Sequence, residues 1–119
     1  MISGIGVDIV EISRMEKSIE NSRFLTRNFT TAENEYFMLK NYNIHTIAAA
    51  FAAKEAVSKA FGTGIRGFNL TDIEILHDKL GKPYVNLYNK CLEIANGAKI
   101  NLSLSHTGDY AVAFVVMER

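Results

Sequence analysis

Four side chains in this sequence are of the types that phosphate chemistry uses: two carboxylates, Asp8 and Glu55, an amine, Lys59, and an imidazole, His106. Arg66, Lys79 and Lys82 add further positive charge. Two carboxylates without a Cys or His cluster make a poor zinc site. They suit Mg²⁺, which takes one or two carboxylates and fills its octahedron with water and substrate phosphate. Lysines beside such an ion would neutralise a diphosphate, and the metal would stabilise charge that develops on transfer. The set is consistent with phosphoryl-group transfer if the fold gathers it, and periodicity alone cannot establish that. Each residue also has a plainer reading. Glu55 and Lys59, four apart, would serve equally as an exposed helical ion pair worth about 0.3–0.5 kcal/mol, which spacing alone favours. Asp8 could be an exposed strand-end aspartate, and His106 a hydrogen-bonded edge residue.

The element that must carry Glu55 and Lys59 is Phe51 to Phe61, alanine-rich, free of glycine and proline, and stopped by Gly62-Thr63-Gly64. Thr46 can cap it. At roughly 100° per residue, Ile47, Ala50, Phe51, Val57 and Phe61 form one apolar arc. Glu55 and Lys59 fall outside that arc beside the small residues Ala48 and Ala52, where they could be an exposed ion pair or the floor of a site for something anionic plus a metal. Lys54 falls inside it, so either it snorkels to water or the buried face is rotated. Asp8 belongs to an alternating strand, Ile2 to Val10, with Ile5, Val7 and Ile9 on one face and Gly4, Gly6 and Asp8 on the other. The reading is a half-buried strand whose second face is bare, the glycines admitting a close backbone or a ligand.

The rest of the chain reads as alternating helices and hairpins. Ile12, Met15 and Ile19 recur at helical spacing, with Arg14 and Lys17 off that face, and Arg23-Phe24-Leu25-Thr26-Arg27 follows. This mixed-charge surface is either solvated or a docking site for an acidic partner. Thr30 and Glu33 have capping-box spacing ahead of a helix that Asn41-Tyr42-Asn43 interrupts. The glycine-rich run Gly62 to Gly67 fits neither the P-loop nor the dinucleotide fingerprint. Thr71 to Leu76 and Tyr84 to Leu87 read as strands joined by a turn through Gly81, with Pro83 where a strand tolerates proline. A short helix from Asn89 to Asn96 ends at Gly97. Asn101 to Thr107 and Tyr110 to Met117 flank Gly108-Asp109, a loop suited to a type II′ turn, with His106 beside it.

Composition narrows the classes. With 119 residues, 13 basic and 13 acidic, the chain reads as one domain, 1–119, without a global field for nucleic acid or an anionic membrane. An RNA-binding reading is poorly supported, since no basic-aromatic stripe is present. The single cysteine, Cys91, excludes an internal disulfide framework and suits a reducing compartment. No signal peptide and no apolar run of membrane-spanning length is read, so a cytoplasmic protein is expected.

Three segments carry a resemblance. Gly4-Ile5-Gly6-Val7-Asp8-Ile9-Val10-Glu11-Ile12-Ser13-Arg14, then Phe51 to Phe61 continued by Gly62-Thr63-Gly64, then Ser103-Leu104-Ser105-His106-Thr107 resemble, in order and spacing, the motifs of the holo-acyl-carrier-protein synthases. The resemblance covers essentially the whole chain. It implies an α+β fold, a small antiparallel sheet packed against helices with one long central helix, assembling as a homotrimer with active sites between subunits. It implies transfer of 4′-phosphopantetheine from coenzyme A to a serine of apo-acyl carrier protein, releasing adenosine 3′,5′-bisphosphate, for fatty acid biosynthesis. By the same resemblance Asp8 and Glu55 would hold Mg²⁺, Lys59 would hold a phosphate and stabilise the leaving group, and His106 would line the CoA site. Lys82 and Pro83 would flank its nucleotide end, and Arg14, Arg23, Phe24 and Arg27 would dock the acidic carrier protein. The general base stays open between Glu55 and a metal-bound water. One departure is Ala50, where relatives often carry arginine; Arg66, Lys40 and His45 are candidates to replace that phosphate contact. The rival reading is a non-catalytic, oligomeric CoA- or nucleotide-binding module on the same fold.

Overall fold

A computed structural model describes residues 1–63 and 67–119; Gly64, Ile65 and Arg66, including the candidate phosphate contact Arg66, lie outside the described residues. The helix containing Phe51 to Phe61 is the longest, α4, Ile44–Ala60. It begins earlier than the Thr46 cap would allow. The side chain of Asn43 accepts hydrogen bonds from the backbone N–H groups of His45 and Thr46, so Asn43 is the cap and Thr46 lies in the first turn. Asn41 and Tyr42 take positive φ just before it, which is the break read from the sequence. At the far end Gly62 adopts a φ of +81°, and its N–H bonds to the Lys59 carbonyl.

Three antiparallel strands wrap this helix in the order β1 (Ile2–Glu11), β5 (Tyr110–Glu118), β4 (Lys99–His106). A separate antiparallel pair, β2 (Ile73–His77) and β3 (Pro83–Leu87), covers another side. The expected antiparallel sheet against a long helix is thus present, divided into two. Three short helices complete the helical layer: α1 (Ile12–Ser18), α2 (Phe24–Asn28) and α3 (Thr31–Leu39), with α5 (Asn89–Ala95) after the hairpin. The capping box at Thr30 and Glu33 forms in both directions.

Two sequence-based expectations about burial are modified, while the close backbone approach read from Gly4 and Gly6 is present. The apolar arc of α4 is too narrow: Ala48, Ala52, Ala53 and Ala56 are fully buried together with Ile47 and Val57, so the helix is enclosed on most sides. Ala48 and Ala52 therefore admit neighbouring protein, not substrate. On β1 the apolar face, Ile5, Val7 and Ile9, is the exposed one, and the glycine face is the packed one. A Cβ at Gly6 would stand 1.9 Å from the Ala56 carbonyl oxygen, and one at Gly4 2.1 Å from that of Ala60. Glycine is required because strand and helix backbones touch.

The β4–β5 connection also differs from expectation. Gly108 does not take the positive φ that a type II′ turn demands. Instead the Thr107 hydroxyl accepts from the backbone N–H groups of Asp109 and Tyr110 and holds the turn. The Asp109 carbonyl then accepts from the Ile12 N–H, tying the turn to α1.

Candidate functional site

Gly4 and Gly6 bring β1 against α4, and Asp8 is the next residue on that face, where the helix presents Glu55 and Lys59. The Lys59 ammonium lies 2.9 Å from Asp8 Oδ1 and donates also to the Val7 carbonyl at 3.0 Å. Lys59 thus pairs across to the strand, which displaces the reading of a surface pair between Glu55 and Lys59. The Glu55 carboxylate accepts no hydrogen bond among the described residues. Its pKa is raised, first by burial and then by the Asp8 charge, with Lys59 opposing. Two carboxylates that repel each other with one ammonium to offset them form a site with room for more positive charge.

That site opens into a cleft of about 380 Å³ lined by Asp8, Glu55, Arg14, Phe51, Ser18 and Tyr110 among others. Among the described residues no group of three or more His, Cys, Asp or Glu side chains is placed to hold a metal. The donor set is the oxygen pair Asp8 and Glu55. Such a set fits an oxygen-seeking divalent ion that completes its shell from water and phosphate, and does not fit zinc.

The other sequence-derived residues fall in two further places. His106 is exposed at the end of β4 and lines a second cleft with His45, His77, Tyr36 and Gly81. Lys82 and Pro83 follow Gly81 in the turn at its rim, which Asp78 holds by accepting from the N–H groups of Leu80 and Lys82. Within one chain, therefore, the carboxylate cleft and the histidine cleft are separate. Arg14, Arg23 and Arg27 are exposed and form no ion pair among the described residues. Phe24 is not a displayed side chain: it is half-buried, its ring 5.8 Å from Phe51 and 6.3 Å from Phe29.

Ala50 is buried, so this position offers no side chain to a ligand. Lys54, which the helical wheel left unexplained, neither snorkels nor reaches the site. Its ammonium is enclosed and bonded to Glu33 and to the Leu70 and Ile73 carbonyls. Sequence reasoning passed over His77 and Tyr36. No spacing links them to His106, because they belong to three different elements.

This architecture, a glycine strand against an alanine helix with a carboxylate from each, defines a class that matches one family. Residues 4–115 match the model of the 4′-phosphopantetheinyl transferase superfamily, and the chain belongs to that family. More particularly, it is 53% identical over 121 residues to a holo-[acyl-carrier-protein] synthase of Clostridium botulinum (strain Alaska E43 / Type E3), covering 99% of this chain and 98% of that protein. Among solved structures it is similar to holo-[acyl-carrier-protein] synthase from Neisseria meningitidis, at 39% identity and a TM-score of 0.89, covering 100% of both chains. It is likewise similar to the synthase from Bacillus anthracis in complex with CoA (3′,5′-ADP), at 38% identity and a TM-score of 0.83, covering 99% of this chain and 97% of that one.

Proposed function

We propose that this chain is a Mg²⁺-dependent holo-acyl-carrier-protein synthase. It transfers 4′-phosphopantetheine from coenzyme A to a serine of apo-acyl carrier protein. The serine oxygen bonds to the phosphorus that carries pantetheine, the bond to the second phosphate breaks, and adenosine 3′,5′-bisphosphate leaves while the serine proton passes to a base. The observation that carries this reading is the meeting of Asp8 and Glu55 at one cleft, with Lys59 paired to Asp8 beside it, in a chain whose relatives are synthases of this name.

Asp8 and Glu55 would hold the ion, which supplies charge neutralisation to the diphosphate of CoA. Lys59, whose side chain is 54% exposed, would turn from Asp8 and the Val7 carbonyl to a phosphate oxygen and stabilise the leaving group. Arg14, Arg23 and Arg27, with no acidic partner among the described residues, would provide the positive surface an acidic carrier protein requires. The exposed apolar face of β1 supports assembly as a homotrimer. A trimer would also place the carboxylate cleft of one subunit against the histidine cleft of its neighbour, making one CoA site from two half-sites. A cytoplasmic setting agrees with the buried free thiol of Cys91.

The test is to incubate the purified protein with CoA and an apo-acyl carrier protein, with and without Mg²⁺ after chelation, and weigh the carrier protein. A phosphopantetheine mass gain that requires metal is expected. Tight CoA binding by folded protein, with no gain on any carrier protein, would instead favour a non-catalytic CoA-binding module.

A further inference from the structure

Seven of the eleven buried residues of α4 are alanine. An alanine surface gives a helix few projections to interlock with its neighbours, so packing alone sets its roll about the axis only loosely. Where β1 meets it, the contact is backbone on backbone at Gly4 and Gly6, which sets how near strand and helix lie. Yet Glu55 must be turned toward Asp8 with some accuracy if the two are to share an ion that demands near-octahedral geometry.

Over the last three turns of α4, side-chain hydrogen bonds to other elements come, among the described residues, from Lys54 and Lys59. Lys59 is exposed and holds Asp8 and the Val7 carbonyl, contacts it gives up on turning to a phosphate. Lys54 is the tie that stays. Its ammonium donates to three segments: Glu33 Oε1 on α3, the Leu70 carbonyl in the turn Leu70–Asp72, and the Ile73 carbonyl at the start of β2. An ammonium has three N–H donors, so all are used. The anchor is held as firmly, since Glu33 Oε1 accepts also from the Thr30 N–H and Oε2 from the Ile75 N–H.

Glu55 follows Lys54 in the chain, about 100° further round the helix, and lines the cleft with Asp8. Holding the roll of one side chain holds the other. A roll of about 10° carries a group at the helix surface, about 5–6 Å from the axis, through about 1 Å. A constellation of ligands tolerates about 0.5 Å. We infer that Lys54, anchored on Glu33, is a positioning residue that sets the roll of α4 and so aims Glu55 at the ion shared with Asp8, an assignment that rests on the proposed function. A lysine sealed in the core thereby tunes metal affinity without touching metal or substrate.

Mn²⁺ as a spectroscopic stand-in for Mg²⁺ reads the ion site directly, because electron paramagnetic resonance of the intact protein separates free from bound ion. Glu33→Gln combined with Lys54→Met removes the tie without orphaning a charge. It should weaken Mn²⁺ binding by about ten- to a hundred-fold, with the far-ultraviolet circular dichroism of the wild type. Val57→Ala opens a cavity at a fully buried position of the same helix and leaves the tie intact. It should lose stability and bind Mn²⁺ as the wild type does. Glu33→Asp keeps both charges and shortens the anchor by one methylene, so it serves where the double variant does not fold, and it too should weaken Mn²⁺ binding. Unchanged affinity in the folded Glu33 and Lys54 variants, or an equal loss in Val57→Ala, would reduce Lys54 to a stabilising contact while the wild-type ion site stands. A wild type that binds no Mn²⁺ would overturn the metal assignment itself, and this inference with it.

Discussion

The Lys54 ammonium lies 2.7 Å from the Glu33 carboxylate, and neither side chain has any solvent exposure. Glu33 also closes the capping box of α3 through Thr30 and accepts the Ile75 N–H of β2. Lys54 adds the Leu70 and Ile73 carbonyls, and its ammonium is 5.0 Å from the centroid of the Phe29 ring. One ion pair therefore pins α3, β2 and α4 together. Burial pulls Glu33 up and Lys54 down in pKa, each opposed by the other's charge.

Removing one partner leaves a buried charge alone, which costs about 3–5 kcal/mol. Lys54→Met should therefore lower the thermal midpoint strongly. Glu33→Gln combined with Lys54→Met should cost less than the sum of the two single changes, because the orphaned charge is gone. Denaturant melts of the three variants check this, and additive losses would contradict the coupling.

Gly6 marks where β1 and α4 touch. Gly6→Ala must push strand from helix, since its Cβ would meet a backbone oxygen and not a flexible side chain. Overpacking of this kind costs about 1–3 kcal/mol, and the displacement would separate Asp8 from Glu55. Transfer activity should fall further than the loss of stability explains, measured on the fraction that remains folded.

Much of this was legible in the sequence, for reasons visible in single residues. Gly4 and Gly6 alternating with Ile5, Val7 and Ile9 signalled a strand with a bare face, and the run from Phe51 to Phe61 signalled a helix. The pattern did not say which face of the strand is covered. Alternation gives a period, not a partner, and here the packed face is the one without side chains. Lys54 failed on the helical wheel because its partner, Glu33, lies on another helix. The meeting of Lys59 with Asp8 was out of reach of spacing for the same reason, and the three motifs pointed to it only through resemblance. His45 and His77 join His106 through tertiary folding alone.

The pKa of Glu55 gives a pH dependence with a definite sign. Its folded value is raised above the ordinary 4.5, so the folded state holds the proton more tightly than the unfolded one. Stability then falls as pH rises through the window from the ordinary carboxylate range to the raised value. A bound divalent cation removes that penalty. Mg²⁺ should raise the melting temperature at neutral pH and do so less as the medium is acidified. Glu55→Gln should melt no lower than wild type without metal and should lose the response to Mg²⁺. A scanning-fluorimetry grid of pH against metal reads both.

Cys91 is fully buried, and its thiol is pushed up to about 12, chiefly by burial and then by Asp72. The thiolate is the reactive form. A thiol reagent at neutral pH should leave the native protein unlabelled and should modify it on unfolding in denaturant. Rapid labelling of the native state would place Cys91 elsewhere.

The outer face of the three-stranded sheet makes the last prediction. Ile5, Val7 and Ile9 are 58%, 53% and 61% exposed, and Phe114 is 45% exposed. In the β1–β5 register, Ile5 lies opposite Val116, Val7 opposite Phe114 and Ile9 opposite Val112, so these residues form a continuous apolar band. Single exposed apolar residues are ordinary, but a contiguous band marks a contact surface. Copies of this chain are the occupants the proposed trimer supplies. Val7→Asp would bury an unpaired carboxylate in that contact, while Val7 itself is directed away from α4 and the core. The variant should keep its far-ultraviolet circular dichroism, sediment as a monomer and lose CoA binding, because half of each proposed site belongs to the neighbouring subunit. If Val7→Asp stayed trimeric and active, the band would not be the interface. A variant that became monomeric yet kept full transfer activity would instead show that one chain holds a whole site.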